Sequence, residues 1–417
     1  MPRVVDSELQ AALNAAGAVV VEGPKACGKT ETAKRVCASS LRLDVNRSAR
    51  MAAEIDPSLA LHGNRPRLID EWQIVPDIWS YVRREVDDTG AKGQFVLTGS
   101  ANPSDDATRH TGAGRFARIL MRPMSLFEQG ASSGQVSLAE LLAGRPLPVA
   151  DATEWSLQEV AENISSGGWP DLRQGAVPQR LKAMRDYVST IQHTDVNRVG
   201  AAARQFDPDK VGRLLQALAR HTATPATETR IVSDVSSAGE RGFARGTFDN
   251  YVSALTRLMI IEDQPSWAPH LRSRARLRSS AKRHFVDPAI AVAALGGSPN
   301  DLLKDPHYLG LLFESLVIRD LRIYSQPGLG VVRHYMDSNG SEADAIVNNL
   351  SGEWAAFEVK LGQSRIDEGA ASLLRFINNI DTAIVGAPSI MAVIVPHGYS
   401  YMRSDGIAVI PITALGP

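Results

Sequence analysis

The chain has 417 residues, of which 44% are hydrophobic and 22% charged, a composition typical of an ordinary soluble globular protein with two or three domains. The formal net charge of −1 excludes a general attraction to nucleic acid, so any basic surface must be local. Only two cysteines are present, which excludes a disulfide framework or a zinc site and favours a reducing, cytoplasmic environment. No apolar run approaches the roughly 18 residues of a membrane helix, so we expect no membrane segment.

The first predicted element is a buried strand, residues 18–21, that leads through a glycine-flanked loop into a helix. Glycines at both ends of the loop let successive backbone N–H groups face phosphate oxygens, and the helix adds the positive end of its dipole. Lys29 is expected to reach the β- and γ-phosphates, and the Thr30 hydroxyl to contact Mg²⁺. The pattern predicts a site for ATP and Mg²⁺, with an incidental glycine turn as the alternative. The predicted binding residues are Gly23, Pro24, Lys25, Ala26, Cys27, Gly28, Lys29, Thr30 and Glu31.

Residues 41–45 are predicted to form a second strand, and the next buried strand ends in Asp70 and Glu71. The carboxyl ends of parallel strands meet at one edge of a sheet. Asp70 is therefore expected to hold the Mg²⁺ shell opposite Thr30, and Glu71 to orient the attacking water.

A further strand, residues 94–97, runs into Thr98, Gly99 and Ser100. Ser100, with Thr98 as the second choice, is expected to hydrogen-bond the γ-phosphate or the attacking water. A turn held by the serine hydroxyl is the alternative.

Residues 112–118 then carry Arg115 and Arg118 on a glycine-rich approach. Arg115 is expected to stabilise charge on the transferred phosphoryl group, in its own subunit or in a neighbour's.

Four segments, GPKACGKT, RLIDEWQ, VLTGSA and GAGRFARILMRPMSLFE, together resemble a group of prokaryotic AAA-type ATPases in order and spacing. In that group a single ATPase domain is fused to a C-terminal domain of unknown function. The resemblance implies Walker A roles for Lys29 and Thr30 and Walker B roles for Asp70 and Glu71. It also implies that Ser100 is sensor 1, that Arg115 is the arginine finger, and that the chain hydrolyses ATP.

A helical connector or lid over the nucleotide site is predicted for residues 155–199. From Asp207 onward, three helical patterns at residues 211–218, 227–235 and 246–259 precede a strand that starts at Ile260. Three helices followed by strand, turn and strand are typical of a winged helix.

The turn of this predicted wing is basic, with no acidic residue from His270 to Arg283. Alternation places its arginines on one face if the segment is extended, so that they could follow a DNA backbone. The alternatives are a solvated loop and contact with the protein's own acidic surface. The arginines in question are Arg272, Arg274, Arg276 and Arg278.

The C-terminal part begins with a helix that carries Glu314 among apolar residues and continues with three strands. The spacing of Asp344, Glu358 and Lys360 on the last two strands is that of a PD-(D/E)xK nuclease core. Asp344 and Glu358 are expected to bind Mg²⁺, and Lys360 to orient a metal-bound water or stabilise the phosphate at which cleavage occurs. Glu314 could add a third carboxylate, and a purely structural ion-pair cluster is the alternative. The family resemblance implies the same fold and positions but does not imply cleavage.

The sequence thus predicts an α/β multidomain protein. Residues 1–150 would form an AAA-type ATPase domain with a parallel sheet, 151–205 a helical connector, 206–295 a winged helix, and 296–417 a restriction-endonuclease-like domain. The expected function is a Mg²⁺-dependent ATPase whose nucleotide state controls the winged-helix and nuclease-like module, acting on DNA. The alternative is a non-cleaving nucleotide switch that binds DNA or a protein partner in regulation or defence. ATP and ADP are the expected ligands, and no self-association signal is visible, which leaves oligomerisation open.

Overall fold

The computed structural model describes residues 2–100, 112–150, 154–199, 205–236, 245–269, 280–337 and 340–417. In these ranges, no helix has both the length and the apolar character needed to cross a membrane. The predicted arginine row, Arg272, Arg274, Arg276 and Arg278, lies outside the described residues.

The N-terminal part is a parallel five-stranded sheet with the strand order β2-β3-β4-β1-β5. Strand β1 lies between β4 and β5, and its residues alternate between two apolar layers. Val20 packs with Trp79 on one face, whereas Val19 packs with Leu9 on the other, which explains why the strand is almost continuously apolar. The strands are β1 (Ala18–Glu22), β2 (Ser39–Arg42), β3 (Arg67–Asp70), β4 (Phe95–Gly99) and β5 (Phe116–Leu120). The helices are α1 (Val5–Ala15), α2 (Lys29–Lys34), α3 (Arg47–Ile55), α4 (Ile78–Thr89) and α5 (Leu126–Gln129).

The middle of the chain is mainly helical, and one antiparallel strand pair follows three of its helices. The three helices and the strand pair occur in the predicted order, while their assignment to a winged helix stays a prediction. The helices are α6 (Leu138–Leu142), α7 (Leu157–Ser166), α8 (Val177–Thr190), α9 (Val196–Val199), α10 (Pro208–Arg220), α11 (Glu228–Ser236), α12 (Arg245–Arg257), α13 (Ala289–Ala294) and α14 (Pro299–Lys304). The strands are β6 (Val136–Ser137), β7 (Ile261–Gln264) and β8 (Lys282–Phe285).

The C-terminal part has a long helix, three antiparallel strands, a helix and a parallel strand in chain order. The sheet order is β13-β14-β12-β11-β10-β9, with helices packed on both faces. The strands are β9 (Val331–Met336), β10 (Glu342–Asn348), β11 (Trp354–Val359), β12 (Ile390–Val395), β13 (Tyr401–Met402), β14 (Ala408–Pro411) and β15 (Leu415–Gly416). The helices are α15 (Pro306–Ser325), α16 (Ile366–Asn378) and α17 (Thr382–Val385).

The segment that follows α5 packs against the C-terminal sheet. Strand β15 pairs with β6, and the Ser389 hydroxyl donates to the carbonyl of Leu142 at 2.7 Å. One apolar core extends from Leu126 through the middle helices to α15 and the C-terminal sheet. The end of the predicted 1–150 domain therefore shares a core with the C-terminal part, while the four domain boundaries stay predictions.

A buried arginine joins three distant segments. The Arg319 guanidinium on α15 donates to Asp287 at 2.7 Å and to Asp320 at 2.8 Å. The Asp287 carboxylate also accepts from the Gly168 N–H at 3.0 Å, and the Asp320 carboxylate accepts from the Leu126 N–H at 2.9 Å. Helix α15 is thus fixed both to the start of α5 and to the turn before Trp169.

Glu262 on β7, in the middle of the chain, contacts both the N-terminal and the C-terminal part. Its carboxylate accepts from Arg122, which follows β5, at 2.9 Å and lies 3.4 Å from Arg322 on α15. Burial alone would raise the pKa of Glu262, but the two guanidinium groups outweigh burial and lower the pKa to about 2. The ionised carboxylate therefore stabilises the folded state.

The change Glu262→Gln is expected to lower the free energy of unfolding by about 1–2 kcal/mol at pH 7, since the side chain is 23% exposed and partly screened. The folded-state pKa lies below the ordinary value of 4.5, so the contribution is complete above pH 4.5 and is lost as the pH falls toward 2. Urea unfolding between pH 3 and 7 measures this difference.

The exposed carboxylate of Glu54, which pairs with Arg50, provides the control, because Glu54→Gln should change stability little at any pH. The assignment of an ionised Glu262 would be contradicted if the free energies of unfolding of wild type and Glu262→Gln differed as much at pH 3 as at pH 7.

Candidate functional site

The loop between β1 and α2 is tightly curled. A Cβ atom at Gly23 would lie 2.1 Å from the backbone oxygen of Met121, so no side chain fits there. Ala26 and Gly28 have φ angles of +59° and +106°, in the left-handed region. Such backbone forms a concave nest of N–H groups that binds anions.

Distant residues hold the outward-facing carbonyl groups of this loop. The Lys25 carbonyl accepts from the Trp169 indole N–H at 3.0 Å and from the Tyr187 hydroxyl at 3.2 Å. The Cys27 carbonyl accepts from the Arg3 guanidinium at 2.8 Å. The Lys25 ammonium also pairs with Asp195. These contacts with distant residues hold the loop in its curled conformation.

Lys29 lies over the same loop. Its ammonium donates to the carbonyl groups of Gly23 at 2.9 Å and of Pro24 at 2.8 Å, and the residue is only 5% exposed. The side chain is thus held as a buried positive charge beside the nest. A cavity of about 380 Å³ opens here, lined by Arg3, Lys25, Ala26, Gly28, Lys29, Thr30, Glu31, Thr32, Arg35, Glu71, Met124, Pro170 and Asp171.

Asp70 ends β3 directly across from Thr30. The Thr30 hydroxyl donates to its carboxylate at 2.8 Å, and the Thr98 hydroxyl donates to the same oxygen. Arg42 lies 3.5 Å from the other oxygen. A hydroxyl and a carboxylate in this relation fit Mg²⁺ bound together with a triphosphate, because the metal takes few protein ligands beside the phosphates. Thr98, the second choice for contacting the γ-phosphate, instead holds Asp70.

Glu71 lies at the edge of the cavity with a φ angle of +56°, which is uncommon for a residue with a side chain. Its carboxylate accepts from the Ser100 hydroxyl at 3.1 Å and from the Gln73 amide. Glu71 and Ser100, for which separate roles were predicted, are thus in direct contact. Unusual backbone conformations of this kind cluster at functional sites.

Arg115 lies at the other end of the sheet. Phe116 pairs with Ala18 at the start of β1, whereas the phosphate loop follows the other end of that strand. At about 3.3 Å per residue, the two ends of β1 are about 13 Å apart. Arg115 donates to Asp87 at 2.7 Å, and Arg118 pairs with Glu22. The structure therefore does not bring Arg115 to its own phosphate loop, and its role as an arginine finger stays a prediction for a neighbouring subunit.

A family model described as an AAA domain matches residues 15–129. This part is an AAA-type P-loop domain. Residues 157–301 match a model described as a domain of unknown function (DUF8612), and residues 309–415 match another, DUF4143. The matches that follow the AAA domain therefore carry no description of an activity.

Similar curated proteins are "Uncharacterized protein Mb2031c" of Mycobacterium bovis and "Uncharacterized protein Rv2008c" of Mycobacterium tuberculosis. Each is 23% identical over 410 residues, which cover 97% of this chain and 82% of the relative. The solved Walker-type ATPase PABY2304 of Pyrococcus abyssi is 13% identical and covers 69% of this chain and 94% of its own, with a TM-score of 0.41. Drosophila ORC bound to DNA is 14% identical and covers 70% of this chain and 84% of its own, with a TM-score of 0.21. These TM-scores are too low to support any inference.

A second cavity, of about 640 Å³, lies at the C-terminal sheet, and Glu314, Asp344 and Lys360 line it. The Lys360 ammonium lies 3.0 Å from Glu358, and Asp344 accepts from the Val359 N–H at 2.9 Å. The predicted acidic residues and the lysine therefore come together.

Burial and the neighbouring charge of Asp344 raise the pKa of Glu314 to about 8 and that of Glu358 well above its ordinary value. These shifts reflect several carboxylates that share one poorly hydrated site. In the described ranges, no group of three or more His, Cys, Asp or Glu side chains is arranged to hold a metal ion.

Lys282 is, together with Glu342, a residue of this cluster that was not predicted from the sequence. Its ammonium lies 2.8 Å from Glu314, 2.9 Å from Glu342 and 3.2 Å from Asp344. Lys282 falls within the acid-free stretch from His270 to Arg283, which was interpreted as the basic turn of the predicted wing. The structure places it at the start of β8, on the same side of the strand as the buried His284, and no signal in the sequence showed that it faces inward.

Proposed function

We propose that this chain is a Mg²⁺-dependent ATP hydrolase whose nucleotide state sets how the middle helices are held against the C-terminal part. One observation carries the proposal: the ends of β1, β3 and β4 bring Lys29, Thr30, Asp70, Glu71 and Ser100 together around the phosphate loop. This combination of cation, hydroxyl and carboxylates suits phosphoryl transfer to water.

Each side chain has a distinct task in this proposal. The loop N–H groups and Lys29 bind the phosphate oxygens, while Thr30 and Asp70 would hold Mg²⁺. The metal, when bound, neutralises charge on the phosphates. Glu71 orients the attacking water and accepts its proton, and Ser100 keeps the Glu71 carboxylate at the cavity edge.

A continuous set of contacts supports control of the C-terminal part. The Lys25 carbonyl in the loop accepts from Trp169, and the neighbouring Gly168 N–H donates to Asp287. Asp287 in turn accepts from Arg319 on α15. A change in the loop that moves Trp169 would therefore act on α15 through two buried contacts.

The proposal predicts phosphate release from ATP that needs Mg²⁺ and stops when EDTA removes the metal. It also predicts that a slowly hydrolysed ATP analogue changes hydrogen exchange at α8 and at α15, which lies outside the AAA domain. A comparison of the ligand-free, ADP-bound and analogue-bound protein tests both points. Absence of ATP binding would overturn the proposal, and unchanged exchange at α15 would remove the control of the C-terminal part.

A second candidate function is nucleic-acid processing by the C-terminal part. The order helix, three antiparallel strands, helix and parallel strand, with Asp344, Glu358 and Lys360 close together, supports a PD-(D/E)xK-like domain acting on DNA. The Lys282 ammonium contacts the Asp344 carboxylate, and this favours the alternative in which the chain does not cleave DNA. In that alternative the chain is a nucleotide switch that binds DNA or a protein partner. The arginines from Arg272 to Arg278 remain the proposed DNA contact.

A further inference from the structure

Lys282 places a positive charge where the acidic residues of the second cavity converge. Its side chain is 3% exposed, and its ammonium contacts the carboxylates of Glu314, Glu342 and Asp344. The three carboxylates belong to α15 and β10, whereas Lys282 comes from β8 in the preceding part of the chain. The contact therefore joins two parts of the chain that match different family models.

The strand pair β7–β8 fixes the lysine in this position. His284, on the same side of β8, lies 3.1 Å from Ser315 on α15 and 3.1 Å from Gln264 on β7. The Gln264 amide donates to the backbone carbonyl of Asp344 at 2.8 Å. Arg283 points to the opposite side, toward Asp263. Because alternate residues of β8 face α15, Lys282 can leave the carboxylates only if its side chain swings out or the strand pair moves.

Ammonium and N–H groups already contact the carboxylates that a metal ion would need. One oxygen of Asp344 contacts Lys282 and the other accepts from the Val359 N–H. Glu358 contacts Lys360 at 3.0 Å. Mg²⁺ requires oxygen ligands at about 2.0–2.1 Å in near-octahedral geometry, and a second cation among these groups would be repelled by the ammonium. The residues as arranged do not fit a divalent metal ion.

We propose that Lys282 is a tethered cation that closes the acidic cluster to divalent metal ions, and that the cluster accepts a metal ion only after the Lys282 ammonium has left it, by rotation of the side chain or by movement of β8. The proposal rests on the second candidate function only in that both use the same carboxylates. It assigns the β7–β8 pair as an autoinhibitory element, and it makes metal binding by the C-terminal part depend on the position of the middle part.

The test is Mn²⁺ binding to the nucleotide-free full chain, measured by titration calorimetry. The wild type, Lys282→Met and Lys282→Arg are each compared with the same protein carrying Asp344→Asn. We expect Lys282→Met to bind one more Mn²⁺ per chain than wild type, and we expect Asp344→Asn to remove that site. Lys282→Arg keeps the charge and should behave like wild type.

Two outcomes would overturn the proposal. One is an Asp344-dependent Mn²⁺ site in the wild type, and the other is the absence of an additional Mn²⁺ site in a Lys282→Met protein whose circular dichroism spectrum is native. If Lys282→Met fails to fold, the wild type alone decides, since an Asp344-dependent site contradicts closure and its absence supports it.

Nicking of plasmid DNA separates this proposal from the second candidate function. If Lys282→Met binds Mn²⁺ but does not nick DNA, closure by Lys282 stands and cleavage is rejected. If the wild type nicks DNA and Asp344→Asn abolishes the reaction, cleavage stands and closure by Lys282 is rejected.

Discussion

Replacing Glu71 by glutamine is expected to lower ATP hydrolysis about 100- to 1000-fold while ATP binding is retained. The amide keeps the size of the side chain but cannot accept a proton from the attacking water. ATP affinity should change little, because Glu71 lies at the edge of the cavity and Lys29 and the loop bind the phosphates. Single-turnover hydrolysis and equilibrium binding of a fluorescent ATP analogue separate the two effects.

Glu85→Gln is the matched control, since Glu85 is a half-buried glutamate on α4 that pairs with Arg65 and does not line the cavity. It should hydrolyse ATP at the wild-type rate. A decrease of less than tenfold in Glu71→Gln would assign the activation of water to another group.

The change Lys29→Ala is expected to weaken ATP binding about 100-fold, the lower part of the range for removing a buried charged partner of an anion. The ammonium is held over the loop by two carbonyl groups, so little side-chain entropy is lost when phosphate binds. Titration with an ATP analogue measures the affinity, and circular dichroism checks that the sheet remains folded.

Lys34→Ala tests whether the loss of ATP affinity in Lys29→Ala comes from the position of Lys29 in the phosphate loop or from the overall positive charge of helix α2. Lys34 lies on the same helix but forms an exposed pair with Glu31. Its removal should leave ATP affinity within about twofold. Equal losses in the two variants would show that general electrostatic attraction, not the phosphate loop, accounts for binding.

The sequence predicted the AAA-type domain, which the family match over residues 15–129 confirms, because the signals that define it are local. A phosphate loop is a continuous segment, and Asp70 and Ser100 each follow a buried strand. The predicted second strand, 41–45, is shifted, since β2 spans Ser39–Arg42. This edge strand has an alternating and half-exposed pattern that gives only a weak signal.

Individual contacts between distant segments could not be predicted from the sequence. Residues 155–199 were predicted to cover the nucleotide site, but nothing near Trp169 indicates that its indole donates to the phosphate loop, because the partner lies 144 residues away. Lys282 was grouped with the arginines of the turn because composition does not show which side of a strand faces the core. The roles of the site residues stay predictions, although the structure places Glu71 against Ser100.

The apolar core shared by residues 126–415 has a consequence for the three family matches. A cut between residues 301 and 309 would divide the chain where two of the matched families meet. It would also divide the apolar core that both regions share and expose apolar side chains of each fragment to water. The two regions that meet there therefore share one apolar core. A truncated C-terminal fragment would expose the part of this core that the middle helices cover, and it would lack Lys282.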